Sequence, residues 1–164
     1  MKILGIDPGT RIMGYGIIVS DDDDFSLIDF GTIVPNANDD NAQRLRDLYQ
    51  GLIKIIDYYQ PDAIAVEQPF VSKNVRSAMA IGRAQAIALL AAANQHVPSY
   101  EYTPTQIKQR VANYGAGKKE QIQEMVRMQL GLNEIPEPND AADALAVAIC
   151  HVREIHLDNI LTNH

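Results

Sequence analysis

The chain contains little cysteine and no tryptophan: Cys150 is the only cysteine among 164 residues. One cysteine excludes an intramolecular disulfide and a cysteine-based zinc site, so we expect the reducing cytoplasm as the compartment. Long apolar runs are also lacking. The longest uncharged stretch, from Ala84 up to Glu101, is interrupted by amides and a histidine, and the apolar run at the start is too short for a signal peptide. We therefore expect no membrane association and one compact domain over residues 1–164.

Positive charge is scarce as well. The chain has 14 basic and 21 acidic residues and a net charge of −7, which by itself argues against a nucleic-acid partner. The distribution is uneven, however, because residues 73–119 carry seven basic side chains and a single acid, Glu101. This asymmetry indicates a polyanion partner, and ordinary solvated surface is the alternative interpretation.

Hydrophobic periodicity predicts the order of elements. Apolar and alternating segments predict five strands, at residues 2–7, 14–19, 25–34, 62–67 and 99–102. Helical spacing and breakers predict five helices, at residues 40–60, 74–95, from 103 onward, 118–130 and 140 to about 155. The order βββαβαβααα predicts an α/β fold of the ribonuclease H-like type, a five-stranded mixed sheet with helices on both faces. Residues after about 155 are expected to form a frayed tail.

Four acidic residues stand where predicted elements begin or end: Asp7, Glu67, Asp140 and Asp143. The first two close apolar strands, at the kind of sheet edge where ligands of open α/β sheets bind. The last two are three residues apart on one helix and therefore share a face. Mg²⁺ prefers carboxylate oxygens, and two such ions can activate water and stabilise the leaving oxygen in phosphodiester cleavage.

Each acid alone also has an ordinary structural interpretation. Asp7 before Pro8 and Gly9 could initiate a turn, and Asp140 and Asp143 could cap a helix and interact with its dipole. Glu67 is harder to explain in this way, because an ionisable group after a buried strand needs a partner. Only the joint placement of the four acids favours a metal site.

Phe70 follows Glu67 in a loop without an evident core to fill. It could stack on an unpaired base, or its ring could fold back on the core. Basic side chains that could hold phosphates are Lys108, Arg110, Lys118 and Lys119. The four histidines show no spacing typical of ligands and are interpreted as surface or cap residues: His96, His151, His156 and His164.

Several segments resemble the RuvC family of crossover junction endodeoxyribonucleases, in the right order along nearly the whole chain. They are residues 3–11, 14–16 and 65–68, Phe70 with Lys73 and Asn74, residues 106–109, 119–123 and 140–146. The resemblance implies a homodimer that binds a four-way Holliday junction and nicks two opposed strands symmetrically. It also implies Mg²⁺ or Mn²⁺, up to two ions per site, and cooperation with the RuvA and RuvB branch-migration proteins.

Position by position, the resemblance implies roles for individual residues. Asp7, Glu67, Asp140 and Asp143 match the catalytic, metal-binding acids. Phe70 matches a base-stacking aromatic, and the helix at 74–95 matches the dimer-forming helix. Lys108 and Lys119 match basic residues that contact DNA. With the other basic residues of the stretch 73–119 that we interpret as phosphate contacts, the predicted DNA-binding residues are Phe70, Lys73, Arg76, Lys108, Arg110, Lys118 and Lys119. The chain departs from other members in its acidic balance and in a tail with one Arg and no Lys, and some members carry His where this chain has Asp140.

Three other functions remain open on sequence grounds. One is a nuclease of the same fold that acts on structured RNA. Another is a nucleotide binder of the sugar-kinase or chaperone type, suggested by Asp7 to Thr10, although 164 residues cannot hold the duplicated domain that this fold needs. The third is a junction-binding protein without catalytic activity.

Overall fold

The computed structural model describes residues 1–22, 24–70, 74–112 and 118–162. Lys73, His164 and the glycine-containing segment at 115–117 lie outside the described residues. The five strands are β1 (Lys2–Asp7), β2 (Met13–Asp21), β3 (Asp24–Ile33), β4 (Ala63–Glu67) and β5 (Ser99–Tyr102). The helices are α1 (Asn41–Tyr59), α2 (Val75–Asn94), α3 (Pro104–Ala112), α4 (Lys119–Gln129) and α5 (Asn139–Thr162). The predicted order of elements is confirmed.

The strands form one mixed sheet in the order β3-β2-β1-β4-β5. The first three strands run antiparallel to one another, β4 pairs in parallel with β1, and β5 pairs in parallel with β4. Parallel strands need a crossover, and α1 and α2 supply the two crossovers of this sheet. The carboxyl ends of β1, β4 and β5 therefore meet at one edge.

Helices cover both faces of the sheet, as predicted. Alternate residues of β1 point to opposite faces, so Ile3 packs with the residues of α3, α4 and α5, and Leu4 packs with those of α1 and α2. Strand β4 behaves in the same way, with Ala65 on the first face and Ile64 on the second. The sheet is thus the middle layer between two apolar cores.

Helix α5 lies in the centre of the first core. Every residue from Ala141 to Val152 except Asp143 is buried, and small alanines let the helix approach the sheet closely. The prediction that this helix ends near residue 155 is wrong, because α5 continues to Thr162. No Pro or Gly follows Ile155 to end it, and its last residues are mostly exposed.

Helix α2 packs on the second core with one face only. Its side chains Ala84, Ala88, Ala91 and Ala92 are fully buried. Among the described residues α2 is the single helix long and apolar enough to cross a membrane, although the sequence pattern predicts no such segment. Length and composition are weak grounds for a membrane span, because the core helix of a globular domain passes the same test.

Candidate active site

Asp7 and Glu67 lie together because β1 and β4 are parallel neighbours. Ile6 pairs with Val66, so the next residue of each strand reaches the same edge of the sheet. Both carboxyl groups are partly buried, and they are hydrogen-bonded to each other. The topology thus brings together two acids that are sixty residues apart in the chain.

The start of α5 adds the other two acids. The helix crosses β1 and β2 over glycines: a Cβ on Gly14 would lie 1.9 Å from the carbonyl oxygen of Asp140, and one on Gly5 would lie 2.0 Å from that of Ala144. No other residue could occupy these two positions without moving the helix. This close approach places Asp140 and Asp143 near enough to Asp7 to raise its pKa.

The crowding of acids changes their proton affinity. Burial, together with the negative charges of Glu67, Asp143 and Asp140, raises the pKa of Asp7 to about 9. Burial also raises the pKa of Glu67, although the hydrogen bond from Asp7 and the charges of Lys119 and Lys108 oppose the increase. At neutral pH the Asp7 carboxyl therefore stays protonated, and its O–H donates a hydrogen bond to Glu67. A cation at this edge would compete with that proton.

The donor set fits a hard divalent cation, since it consists of carboxylates without a cysteine or histidine. As the side chains stand, the described residues do not place three acidic or histidine ligands around one point. In this arrangement Asp7 is hydrogen-bonded to Glu67, and the Oδ2 of Asp143 lies 3.0 Å from the Nζ of Lys119. The latter contact raises the pKa of Lys119. A cation that uses all four acids must displace both interactions.

A cavity of about 260 Å³ opens beside the acids on the side of α3 and α4. Lys108 of α3 and Lys119 of α4 line it together with Glu67 and Asp143, and Ile107 and other apolar residues form its floor. Two cations therefore flank two of the acids in one concave surface. A phosphodiester held by the lysines would lie directly against these carboxylates.

Three further predicted DNA-binding residues lie elsewhere. Arg110 points away from the acids and forms an ion pair with Glu154, with its Nε 2.8 Å from Oε1. Arg76 lies on the opposite side of the acids, in the first turn of α2. Lys118 is exposed at the N-terminus of α4, where its backbone N–H donates to Gln121 at 3.0 Å.

Phe70 is 67% exposed, just beyond Glu67. The alternative interpretation, a ring folded back on the core, is therefore wrong for this chain. An exposed phenylalanine beside the acids is available for stacking on a base.

The surface or cap interpretation fails for His151. This residue of α5 is fully buried, its Nδ1 lies 2.7 Å from the hydroxyl oxygen of Tyr102, and the Tyr100 ring stacks on it with centroids 4.5 Å apart. Burial lowers the pKa of His151 to about 4. Tyr102 pairs in register with Glu67 on the neighbouring strand β4. The sequence feature that indicates this burial is the position of residue 151 within the continuous apolar segment of α5.

Comparisons with known sequences agree with this geometry. A family model described as Crossover junction endodeoxyribonuclease RuvC matches residues 3–151. A protein of the same description from Dehalococcoides mccartyi is 57% identical over 162 residues, which cover 99% of this chain and 97% of the relative. Another from Caldanaerobacter subterraneus is 48% identical over 161 residues, which cover 98% and 96% of the two chains.

A solved structure is similar over the same extent. It is described as RuvC of Thermus thermophilus in complex with Holliday junction substrate, and it superposes with a TM-score of 0.90. The two sequences are 32% identical, and the alignment covers 96% of each chain. The ribonuclease H-like fold is thereby confirmed.

Proposed function

We propose that this chain, which belongs to the RuvC family of crossover junction endodeoxyribonucleases, resolves Holliday junctions with Asp7, Glu67, Asp140 and Asp143 as its catalytic, metal-binding residues. The single observation that carries the assignment is the convergence of these acids at one sheet edge, where they raise the pKa of Asp7 to about 9. Such crowding is unfavourable without a cation and is best explained as a cation site. The substrate class follows from the family and from the junction in the related structure.

The chain prepares this site for hydrolysis of a phosphodiester. Divalent cations, Mg²⁺ or Mn²⁺ and up to two per site, supply an activated water and stabilise the leaving oxygen when bound. For a cation to bind, Asp7 must first lose the proton with which it hydrogen-bonds to Glu67. The ion pair between Asp143 and the Nζ of Lys119 must also break. Lys119, once released, can hold the phosphate of the incoming strand together with Lys108.

Phe70 and the basic residues bind the DNA around the cut. The exposed Phe70 ring stacks on a base that is unpaired at the centre of the junction. Lys73, which lies outside the described residues, is proposed as a further DNA contact. Arg76 and Lys118 contribute phosphate contacts, and Arg110 does so only if the junction competes with Glu154. This cost makes Arg110 the weakest of the predicted contacts.

Two identical cuts on opposed strands require two copies of the active site, so we propose a homodimer with two-fold symmetry. Helix α2 offers an exposed apolar face for this contact. Val75, Met79 and Leu90 are exposed by 65%, 56% and 50%. Gly82 lies on the same face with open space around its Cα, which permits close approach of a second helix.

The cellular setting is also a proposal. We propose that the protein acts in the cytoplasm as one nuclease domain and works with the RuvA and RuvB branch-migration proteins. The single buried cysteine and the family's role support this proposal.

The function is tested with a labelled synthetic four-way junction and a linear duplex of the same sequence, each in Mg²⁺ and in EDTA. We expect paired nicks on opposed arms of the junction, in Mg²⁺ only and not in the duplex. A structured RNA and a nucleotide titration serve as further arms. Preferred RNA cleavage would favour the alternative nuclease, nucleotide binding would favour the kinase-type function, and junction binding without nicks would favour a non-catalytic protein.

A further inference from the structure

A second groove borders the acid cluster on the side opposite Lys108 and Lys119. Its volume is about 610 Å³, and it runs between the loop that follows β1 and the first turns of α2. The loop contributes residues 9–12, and α2 contributes Arg76, Ser77 and two apolar residues. Asp140 lines the same groove, which therefore leads directly to the acids.

Two arginines line this groove together with Asp140, and neither of them forms a salt bridge with it. Arg11 and Arg76 are exposed, and neither forms an ion pair within the part of the chain that the structure describes. Arg110, Arg46 and Arg127 differ, because each of them has a carboxylate partner. The two arginines bring two positive charges to the groove and Asp140 brings one negative charge, so the lining carries a net positive charge that attracts an anion.

The position of the groove defines the path of a bound strand. The cavity with Lys108 and Lys119 opens beside Glu67 and Asp143, whereas the groove with Arg11 opens beside Asp140. The acid cluster lies between these two basic surfaces. A strand whose cleaved phosphate reaches the acids can then contact both surfaces.

We propose that Arg11, with Arg76 opposite, binds a phosphate of the cleaved strand on the α2 side of the scissile bond. The lysines hold the strand on the α3 side, and Arg11 and Arg76 hold it on the other, so the scissile phosphate is fixed between two anchors. Arg11 is a positioning residue in this arrangement and takes no part in the chemical step. The inference rests on the proposed function, because it assigns a role on the substrate of that site.

The experiment measures junction binding in EDTA, by fluorescence anisotropy over a series of salt concentrations. We expect Arg11→Ala to weaken binding about tenfold and to lower the slope of log affinity against log salt by about 1, as for one lost phosphate contact. Arg11→Lys should restore the slope. Arg46→Ala, an exposed arginine on α1 that faces Asp47, is the matched control and should leave both quantities unchanged.

A second measurement locates the contact on the DNA. The affinities of wild type and of Arg11→Ala are measured for junctions that carry a neutral methylphosphonate at a single position beside the cleaved bond. At one position on the side away from Lys119, the neutral methylphosphonate should weaken junction binding by wild type but not by the variant. If the methylphosphonate and Arg11→Ala reduce the affinity additively at every position, the proposed role of Arg11 is wrong. The same holds if Arg11→Ala binds the junction as Arg46→Ala does.

The two proposals fail in different ways. Wild-type binding without cleavage in Mg²⁺ would overturn the proposed function, while the salt slope and the methylphosphonate positions would still decide the role of Arg11. Absence of junction binding by wild type would overturn both.

Discussion

Asp7 keeps a proton at neutral pH because burial and three neighbouring acids raise its pKa from 3.8 to about 9. Between these values the folded chain holds this proton more tightly than the unfolded chain, so the contribution of Asp7 to the free energy of unfolding falls as pH rises. Asn cannot ionise. Raising the pH from 5 to 8 should therefore destabilise wild type through this group but not Asp7→Asn. The free energy of unfolding of the variant minus that of wild type should increase by roughly 2 kcal/mol or more over this range, as measured by urea unfolding in EDTA.

The same variant separates catalysis from folding. Asp7→Asn should bind the four-way junction as wild type does and should lose cleavage in Mg²⁺, because the shape and the basic surfaces remain. Asp57→Asn, on the exposed surface of α1, controls for the loss of one negative charge. If Asp7→Asn loses binding together with cleavage, Asp7 is required for the fold.

His151 gives a pH dependence of the opposite sign. Its pKa falls from 6.5 to about 4 because the imidazole is buried, so the unfolded chain binds the extra proton more readily. The stability that the neutral ring contributes is present above pH 6.5 and is lost as pH falls towards 4, by up to roughly 3 kcal/mol. Urea unfolding at pH 7 and pH 4.5 should show a smaller loss for His151→Gln than for wild type.

NMR titration of the His151 ring checks this assignment directly. The ring should remain neutral at pH 5 in the folded protein and become protonated at that pH in urea. A ring that titrates near pH 6.5 in the folded state would contradict the buried contact with Tyr102.

The sequence predicts the positions of side chains that lie at the ends of strands and helices. Asp7 and Glu67 follow buried strands, and their encounter depends only on strand order. The partner of Arg110 could not be predicted, because Glu154 is 44 residues away and reaches it only through the packing of α3 on α5. The burial of His151 likewise depends on the two tyrosines of β5.

At the scale of elements, the position of α5 relative to the sheet sets the geometry of the site. A Cβ on Gly14 would lie 1.9 Å from the carbonyl oxygen of Asp140, so Gly14→Ala must push the start of the helix away. A displacement of about 1 Å at reacting groups can cost about 100-fold in rate. We expect a loss of that order in junction cleavage, together with a lower melting temperature.

The control for this variant is Thr32→Ala. Thr32 pairs with Gly14 across β2 and β3, and its truncation adds no atoms beneath α5. It should retain cleavage within a few-fold. Equal cleavage by Gly14→Ala and wild type would show that the close approach of α5 does not position the acids.

The elements themselves were predictable for a physical reason. Buried strands such as β1 and β4 are short apolar runs that end at an acid, and Pro61 marks the break between α1 and β4. The end of α5 was not predictable to the same degree. Beyond Ile155 the helix is mostly exposed, and neither periodicity nor a breaker residue defines where it stops.

At the scale of the whole molecule, the proposed function requires a second copy of the chain. The exposed apolar face of α2 contains Val75, Met79 and Leu90, and Gly82 lies between them with no atom within 4 Å of an added Cβ. A side chain at Gly82 therefore begins in open space and not against another part of the described chain. It would nevertheless occupy the surface where a second α2 has to approach.

We therefore expect Gly82→Gln to fold normally and to be a monomer under conditions where wild type is a dimer, as measured by analytical ultracentrifugation and circular dichroism. Met79→Glu should behave in the same way, because it places a charge in an apolar contact. Arg46→Ala, on α1, should remain dimeric. In junction cleavage, the two monomeric variants should cut single strands without pairing the opposed nicks. A dimeric Gly82→Gln would place the contact between copies on another surface and leave the apolar face of α2 unexplained.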